Sequence, residues 1–440
     1  MSNVAILGGG IAGLAAAYEM SKVGFSVDVY EGSTLGGLVG TFSVGGAQIE
    51  KFYHHIFKCD NDYLNLAQEL GHAEQIVWRN AKVGFWDGKR IWPFGTALDL
   101  LRFKQMSVVQ RVKFGLNTLR MKRLSSWEKL NDIRIQDWYA QRGNAEGFDV
   151  IWEPLLQRKF GKHYLNIPAA FLWGRIWPRS RSREKGKEVL GYLRGSFGRT
   201  IEQLADALRK RGARIFENTE VRRFGVSNTK EERRYFVESD VTSEGHEYRY
   251  LISALPLPIF RRLVEGVGEK TLCDFDKIEY FGVSSLVLVL DSPLSDIYWL
   301  NVADPELTFG IYIEHTNFVP KENYGGQTII YLASYLEQTH PYLEMTVDEI
   351  MGEHIPSLRK IFLDFSEKYI REAHHFTAKW ATPVYDLGYS KKIPLPFLKE
   401  SGIGLASTAH IYPRDRNMNN SVSVGRAAAQ AILSQTLAQS

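Results

Sequence analysis

The most constraining feature of the sequence is a glycine triplet, Gly8-x-Gly10-x-x-Gly13, between an apolar strand and a helix. The strand is predicted from Asn3 to Leu7, and an alanine-rich helix from Ile11 to Lys22. In such a turn the first glycine allows a tight bend, and the second lets the backbone approach a pyrophosphate. The third allows the helix to pack on the strand. The chain is therefore predicted to open with a βαβ nucleotide-binding unit.

An acidic residue follows the triplet at the expected distance. A second predicted strand, Ser26 to Tyr30, ends at Glu31, eighteen residues after Gly13. Glu31 is thereby placed to accept hydrogen bonds from an adenosine ribose. A glycine-rich turn without a ligand is the alternative for the triplet alone, but its strand–helix context and the acid together favour a dinucleotide. These residues leave NAD and FAD open.

The segment after Glu31 favours FAD. Gly36-Gly37-Leu38-Val39-Gly40-Thr41-Phe42 resembles the flavin amine oxidase superfamily, which includes protoporphyrinogen oxidases, phytoene desaturases and UDP-galactopyranose mutases. The resemblance resumes at residues 195–221, where a valine near the adenine is implied, and at residues 404–433. No second, nicotinamide-binding triplet is present, so oxygen, a quinone or another acceptor would reoxidise the flavin. The residues expected to hold FAD are Gly8, Gly10, Ile11, Ala12, Gly13, Glu31, Gly36, Gly37, Leu38, Val39, Thr41, Val221, Ser407, Thr408, Ser421 and Val422.

The tail departs from the superfamily pattern at one place. Members carry Gly-Asp after the last strand, and the matching positions here are Ser407 and Thr408. Two hydroxyls can donate to phosphate oxygens, which is compatible with FAD, while a degenerate flavoprotein without catalysis is the alternative. Ser421 and Val422 are expected to open the last helix, with its positive end toward the flavin N1–C2 edge.

The whole chain is predicted to be α/β, with a split Rossmann-like FAD-binding domain and an α+β substrate domain built from insertions. At 440 residues it exceeds one compact core. The FAD-binding parts are expected at residues 1–81, 200–262 and 398–440. The substrate-domain parts are expected at residues 82–199, helical and basic, and 263–397, a mixed sheet.

A histidine pair is the candidate catalytic element. His54 and His55 lie between aromatic residues, and His55-Ile56-Phe57 resembles the His-x-Phe segment beside the flavin of UDP-galactopyranose mutases. A histidine with a pKa near neutrality can take a proton as hydride leaves the substrate. The alternative is a packed, structural pair. No metal site is expected, because adjacent histidines rarely converge on one ion.

Arg175, Trp177 and Arg179 are the candidate substrate-binding residues. Arginine forks bind carboxylate or phosphate, and indoles stack on sugar or other rings. An anionic substrate follows if the segment faces the cleft, and a solvated surface loop is the alternative. On a helix the two arginines would share a face with Trp177 elsewhere. In an extended segment all three would project to one side.

A basic helix is predicted from Met106 to Leu124. Its apolar residues share one face flanked by Arg and Lys, which is typical of helices lying on anionic membranes and also of core-facing helices. The apolar residues are Val109, Val112, Leu116 and Leu119. The overall charge of +4 comes with no recognised nucleic-acid-binding module, so nucleic acid is not an expected partner. Two cysteines and no long apolar stretch indicate a cytoplasmic protein, or one peripheral at the inner face of a membrane.

The expected function is an FAD-dependent oxidoreductase that removes hydride from a C–N or C–C unit of an anionic or lipid-like small molecule. The alternative is a mutase similar to the galactopyranose enzymes, acting on a sugar nucleotide without net redox change. A non-catalytic flavoprotein is the third possibility. The sequence leaves the substrate, the electron acceptor and the oligomeric state open.

Overall fold

The structure is a computed structural model and describes residues 3–228, 233–240 and 245–439. Its strands are, in chain order, β1 Asn3–Leu7, β2 Ser26–Tyr30, β3 Thr41–Val44, β4 Ala47–Glu50, β5 Ile76–Asn80, β6 Val83–Trp86, β7 Ile91–Pro93, β8 Arg183–Glu184, β9 Lys187–Leu193, β10 Arg214–Phe216, β11 Val221–Asn228, β12 Arg233–Ser239, β13 His246–Tyr248, β14 Tyr250–Ser253, β15 Val264–Glu265, β16 Tyr280–Leu290, β17 Trp299–Val302, β18 Ile311–Glu314, β19 Thr328–Leu336, β20 Ile370–Pro383, β21 Phe397–Leu398 and β22 Ile403–Leu405. Its α-helices are α1 Ile11–Lys22, α2 Asn61–Glu69, α3 Ala97–Arg102, α4 Val108–Arg123, α5 Ile135–Ala140, α6 Ala145–Gly147, α7 Glu153–Phe160, α8 Ala169–Arg181, α9 Gly198–Lys210, α10 Leu257–Leu263, α11 Glu269–Asp276, α12 Val347–Ile361 and α13 Met418–Gln439.

The first sheet is mostly parallel and contains β1. Its strand order is β10-β2-β1-β14-β22-β21, and only the β21–β22 pair is antiparallel. Val4 to Leu7 are fully buried, as expected for a parallel strand covered on both faces. The strands come from well-separated parts of the chain. The α/β, Rossmann-like fold predicted from the sequence is confirmed.

Helices α1 and α13 pack closely beside this sheet. A Cβ on Gly425 of α13 would lie 2.1 Å from the Ala12 carbonyl oxygen of α1, so no larger residue fits there. Ala15, Ala16 and Ala17 of α1 are buried in the same core. The last helix of the chain is thereby fixed against the first glycine-rich helix.

The second large sheet is mixed, with the strand order β20-β16-β19-β18-β17-β6-β7. Strand β16 is buried along its whole length and pairs antiparallel with β19 and β20. Strand β6 pairs parallel with β17, so residues 82–199 and 263–397 contribute to one sheet. Residues 82–199 were expected to be helical, and they contain β6, β7, β8 and β9 as well as helices.

A smaller sheet, β5-β9-β8, holds the histidine segment in place. Ile56 forms a bridge with Gly191 of β9, with backbone hydrogen bonds of 3.0 and 2.8 Å. A Cβ on Gly191 would lie 2.8 Å from the Ile56 side chain, so the contact requires glycine. Because Ile56 directly follows His55, this bridge fixes the histidine segment to β9. Among the described helices, none is both long and apolar enough to cross a membrane.

Candidate active site

The glycine-rich turn between β1 and α1 has the geometry of an anion-binding helix start. Gly8 has φ +102°, a left-handed conformation that favours glycine, and a Cβ on Gly13 would lie 1.9 Å from the Gly8 carbonyl oxygen. No side chain caps α1, and no acidic residue lies in its first turn. No side chain of the helix itself therefore competes with an anion for the positive end of α1 and its first N–H groups.

The glycine pair after β2 lies directly on this turn. The Gly36 N–H donates to the Gly9 carbonyl at 3.0 Å, and Gly36 has φ +112°. A Cβ on Gly37 would lie 3.5 Å from the Gly10 Cα. The structure thus brings together the two glycine segments that the sequence assigns to the cofactor. Of the residues that follow, Val39 is buried, while Leu38 and Thr41 are partly buried.

Glu31 lies at the end of β2, beside the same turn. Its carboxylate accepts hydrogen bonds from the Gly9 N–H at 2.8 Å and from the Ser33 N–H at 3.0 Å. The Glu31 carbonyl accepts from the Thr219 N–H at 2.8 Å, two residues before Val221. The expected ribose-binding acid and the chain leading to the expected adenine-binding valine therefore meet at one edge.

The tail differs from expectation at its helix start. Helix α13 begins at Met418, so Ser421 and Val422 do not open it. The Ser421 N–H is already bonded to the Asn417 carbonyl at 3.1 Å, and Val422 is fully buried. The cap is Asn417, whose Oδ1 accepts from the Asn420 N–H at 2.8 Å. The prediction that Ser421 and Val422 open the helix was therefore wrong, and the helix N-terminus lies at residues 417–420. Their contact with FAD stays a prediction.

Ser407 and Thr408 follow β22 and begin a short 3-10 turn. The Ser407 hydroxyl accepts from the Ala409 N–H at 3.3 Å and lies 3.2 Å from the Tyr280 hydroxyl. Ser407 is buried, so its hydroxyl serves first to fix the turn that follows the strand. Its role toward a phosphate stays a prediction.

A cleft separates the histidine segment from helices α7 and α8. It has about 1290 Å³ of empty space, including the part that is open to solvent. Strands β17 to β19 and the loop before α13 complete its walls. Its lining residues include Tyr53, His54, His55, Phe57, Arg158, Lys159, Arg175, Arg179, Trp299, Tyr335, Arg414, Asp415 and Arg416.

Both histidines line this cleft, but in a neutral state. Burial and the nearby Arg416 lower the pKa of His54 to about 4, while its Nδ1 lies 2.6 Å from the Phe52 carbonyl oxygen. Burial, then Arg179, lowers the pKa of His55 to about 3, and its Nδ1 lies 3.3 Å from the Tyr298 hydroxyl. The expectation of a pKa near neutrality was wrong, because these rings are desolvated beside cations. They are neutral hydrogen-bonding groups at pH 7.

The two arginines lie on helix α8 and both line the cleft. Arg175 donates from a terminal guanidinium nitrogen to the Asp415 carboxylate at 2.5 Å, and Arg179 Nε lies 3.4 Å from the Glu188 carboxylate. Trp177 does not line the cleft; it contacts Trp173, with ring centres 5.5 Å apart. The helical alternative therefore holds, and Trp177 faces away from the two arginines.

Sequence reasoning missed the residues that complete this charge cluster. Asp415 is paired with Arg175 and Lys159, and these cations outweigh burial and hold its pKa well below the usual range. Arg416 Nε is buried and has no hydrogen-bond partner among the residues that the structure describes. The run Arg414-Asp415-Arg416 was the available signal in the sequence. Six cationic side chains and two carboxylates, Asp60 and Asp415, line the cleft.

Glu50, the last residue of β4, lies four residues before His54 and is held by several hydrogen bonds. Its carboxylate accepts from the Tyr192 hydroxyl at 2.7 Å and from the Phe197 N–H at 2.5 Å, and its carbonyl accepts from the Tyr331 hydroxyl at 2.7 Å. Burial raises the pKa of Glu50 to about 7. One residue therefore ties β4 to β9, to the turn before α9 and to β19.

Glu50 should make the protein less stable as the pH rises. A folded pKa above the unfolded value means that its stabilising contribution is complete below about pH 4.5 and is lost as the pH rises through about 7. We expect the melting temperature of the wild type, relative to the Glu50→Gln variant, to fall between about pH 5 and pH 8. The difference in melting temperature across this range is the measurement. A constant difference contradicts the assignment.

Comparison with known proteins identifies the family. The sequence profile of the flavin containing amine oxidoreductases matches residues 11–433. The chain belongs to this family. The match confirms the predicted resemblance to the flavin amine oxidases and FAD as the cofactor. It also confirms the predicted enzyme class, an FAD-dependent oxidoreductase. The glycine turn, the uncapped α1 and Glu31 fit the ADP half of FAD. No group of three or more His, Cys, Asp or Glu that could hold a metal occurs within the described ranges.

Curated relatives match part of the chain. A zeta-carotene desaturase from Synechocystis sp. is 24% identical over 308 residues, covering 63% of this chain and 62% of the relative. The chloroplastic/chromoplastic zeta-carotene desaturase of Zea mays is 28% identical over 179 residues, covering 35% of this chain and 31% of the relative. The alignments thus span less than two thirds of these relatives.

Solved structures share the fold over nearly the whole chain. A protein provisionally assigned as a protoporphyrinogen oxidase from Exiguobacterium sp. 255-15 has a TM-score of 0.77 and 17% identity, covering 99% of both chains. A reduced UDP-galactopyranose mutase has a TM-score of 0.75 and 16% identity, covering 99% of this chain and 96% of its own. A fatty acid isomerase from P. acnes that produces CLA has a TM-score of 0.71 and 18% identity, covering 98% of both. At these identities the likeness concerns the fold.

Proposed function

We propose that the protein is an FAD-dependent oxidoreductase that removes hydride from a C–N or C–C unit of an anionic small molecule bound in the cleft. The observation that carries this proposal is the excess of cationic over carboxylate side chains in the cleft lining. Bound FAD supplies the two-electron acceptor. The candidate FAD-binding residues remain those of the glycine turn, Glu31 and the segments that meet them.

The cleft offers different surfaces to different parts of a substrate. Arg175 and Arg179 hold the anionic group, since both guanidinium groups line the cleft from one helix. Leu155, Leu156 and Phe171 supply an apolar wall for a lipid-like or ring-shaped remainder. His54 and His55, neutral at pH 7, orient the reacting unit by hydrogen bonds rather than storing a proton.

The Arg175→Ala variant tests the anion site. We expect it to weaken binding of an anionic substrate or of pyrophosphate by about 1.5–3 kcal/mol, the range for hydrogen bonds to charged groups. FAD content should be unchanged, because the glycine turns lie in other elements. Isothermal titration with pyrophosphate and the flavin absorbance of the same sample are the measurements.

Arg181 provides a matched control on the same helix. Its guanidinium stacks 3.8 Å from the Trp177 ring centre and does not line the cleft. The Arg181→Ala variant should bind pyrophosphate as the wild type does. If the wild type, Arg175→Ala and Arg181→Ala bind pyrophosphate equally, Arg175 does not bind the anion and its role in α8 is structural.

A mutase acting on a sugar nucleotide is the second candidate function. It is supported by the cationic cleft, which suits a diphosphate, and by the fold likeness to a reduced UDP-galactopyranose mutase. An oxidoreductase bleaches its oxidised flavin when substrate is added without oxygen. A mutase leaves the flavin spectrum unchanged and converts substrate only after the flavin has been reduced. Anaerobic titration followed by dithionite therefore separates the two.

The proposal includes a peripheral position at the cytoplasmic face of a membrane. Its support is helix α4, whose apolar residues were open to two interpretations in the sequence. Val109, Val112, Leu116 and Leu119 are exposed, while Phe114 and other residues of the opposite face are buried. The core-facing alternative is therefore wrong for this face.

A further inference from the structure

Helix α4 presents an apolar face that no part of the described chain covers. Val109 is 63% exposed and Leu116 is 49% exposed. Phe114, Asn117 and Met121, on the other side of the helix, are buried. Helix α4 is thus packed against the protein through one side only. The apolar side chains of its other side are not buried by folding.

Neighbouring residues enlarge this surface. Helix α3 lies against α4, where Arg111 donates to the Leu101 carbonyl oxygen, and Leu98 and Leu101 are each 52% exposed. Eight of the twelve exposed large hydrophobic residues in the described part of the chain fall in this region. We call them the α3–α4 face: Leu98, Leu101, Val108, Val109, Val112, Leu116, Leu119 and Leu124. Such clustering marks an interaction site, because single exposed aliphatic residues are normally scattered.

Cations border the face on both sides. At about 100° per residue, the exposed apolar residues of α4 fall within one sector of the helix surface. Arg111 and Lys122 lie on one side of that sector, and Lys113 and Arg120 lie on the other. Helix α4 contains no Asp or Glu. None of these four cations forms an ion pair with a carboxylate within the described ranges.

We propose that the α3–α4 face docks on the surface of an anionic phospholipid bilayer, with α4 parallel to the membrane plane. Exposed aliphatic side chains enter the boundary between headgroups and acyl chains, and the flanking Lys and Arg bind lipid phosphates. A second copy of the chain is the poorer occupant. It would bring two rims of like charge together, and two neighbouring acids are already engaged: Asp99 caps α3, and Glu146 accepts from the Ser107 N–H at the start of α4.

The docking face and the cleft are coupled through helix α8. The Trp173 indole N–H of α8 donates to the Leu124 carbonyl at the end of α4 at 3.1 Å. Arg175 and Arg179 project from the same helix into the cleft. A substrate with an anionic head and an apolar remainder would therefore be taken up one helix away from the bilayer. This inference rests on the proposed function, because it assigns a docking surface and a lipid class to the peripheral position proposed there, while the test of docking requires no turnover.

Sedimentation with lipid vesicles tests the docking. The whole protein is mixed with vesicles of phosphatidylcholine alone, or of phosphatidylcholine with phosphatidylglycerol. We expect binding to the anionic vesicles, weakened by added salt, and at least about tenfold weaker binding for the Leu116→Glu/Leu119→Glu double variant. The matched control is Leu363→Glu/Leu395→Glu, at positions 87% and 60% exposed outside the face, which should bind as the wild type does.

The same samples separate this inference from the proposed function. Circular dichroism and flavin absorbance report whether the double variant is folded and holds FAD, and no turnover is required. Absence of binding to anionic vesicles by the wild type overturns the inference, as does equal binding by the double variant. A wild-type dimer that the double variant loses, without vesicle binding, assigns the face to a second copy and also overturns it.

Discussion

The Gly10→Val variant is expected to fold as the wild type does and to retain no FAD. Gly10 has φ −71°, which any residue adopts, and the nearest atom to an added Cβ is the Gly36 carbonyl oxygen at 4.0 Å. The protein itself therefore tolerates a side chain at the start of α1. The pyrophosphate does not, because its position lies against the backbone of the second glycine. Flavin absorbance after desalting and circular dichroism measure the two outcomes.

Variants at two other glycines serve as controls for Gly10→Val. In the Gly352→Val variant, in α12, the added Cβ has no atom within 4 Å outside the backbone of its own helix, and the variant should keep its FAD. The Gly13→Ala variant places a Cβ 1.9 Å from the Gly8 carbonyl oxygen and should lose both FAD and thermal stability. Wild-type flavin content in Gly10→Val would show that the turn does not hold the pyrophosphate.

The cofactor half of the site was predictable because its signals are local. The Gly8 turn lies within the first strand–helix–strand unit, and Glu31 and the Gly36-Gly37 pair follow it within seven residues, so the signals are close in the sequence. The start of α13 was also encoded locally, by Asn417 and the Asn420 N–H that it caps. The sequence prediction began the helix at Ser421, three residues after its start at Met418.

Helix α4 shows a limit of periodicity. The spacing of Val109, Val112 and Leu116 defines a face but does not say which side of the helix meets the core. The structure buries the face with Phe114 and Met121, and the Phe114 ring stacks against Tyr139 and Trp152, residues that the spacing within α4 could not reveal. The exposed face then becomes the feature that needs a partner.

The charge cluster of the cleft could not be predicted from spacing. Lys159 lies in α7, Arg175 in α8, and Asp415 in the loop before α13, far away in the chain. Their meeting depends on how the insertions fold back on the nucleotide sheet. The pKa of the histidines had the same origin, since burial beside Arg179 and Arg416 is a tertiary effect.

The Asp415→Ala variant is expected to lose stability and to gain affinity for anions. Asp415 is the carboxylate that pairs with both Lys159 and Arg175, whose side chains are 15% and 22% exposed. Its removal leaves two largely buried cations without a counter-charge. This should lower the free energy of unfolding by about 3 kcal/mol. Urea unfolding at pH 7 measures this loss.

Pyrophosphate should restore much of that stability, because an added anion takes the place of the missing carboxylate. A ligand that binds the folded state raises the free energy of unfolding in proportion to the logarithm of its concentration over its dissociation constant. We therefore expect a larger pyrophosphate-induced increase for Asp415→Ala than for the wild type. The Lys159→Met/Asp415→Ala double variant, which also loses one cation, should gain less. An equal increase in all three proteins would mean that Lys159 and Arg175 serve only to hold Asp415, and that the anion binds elsewhere in the cleft.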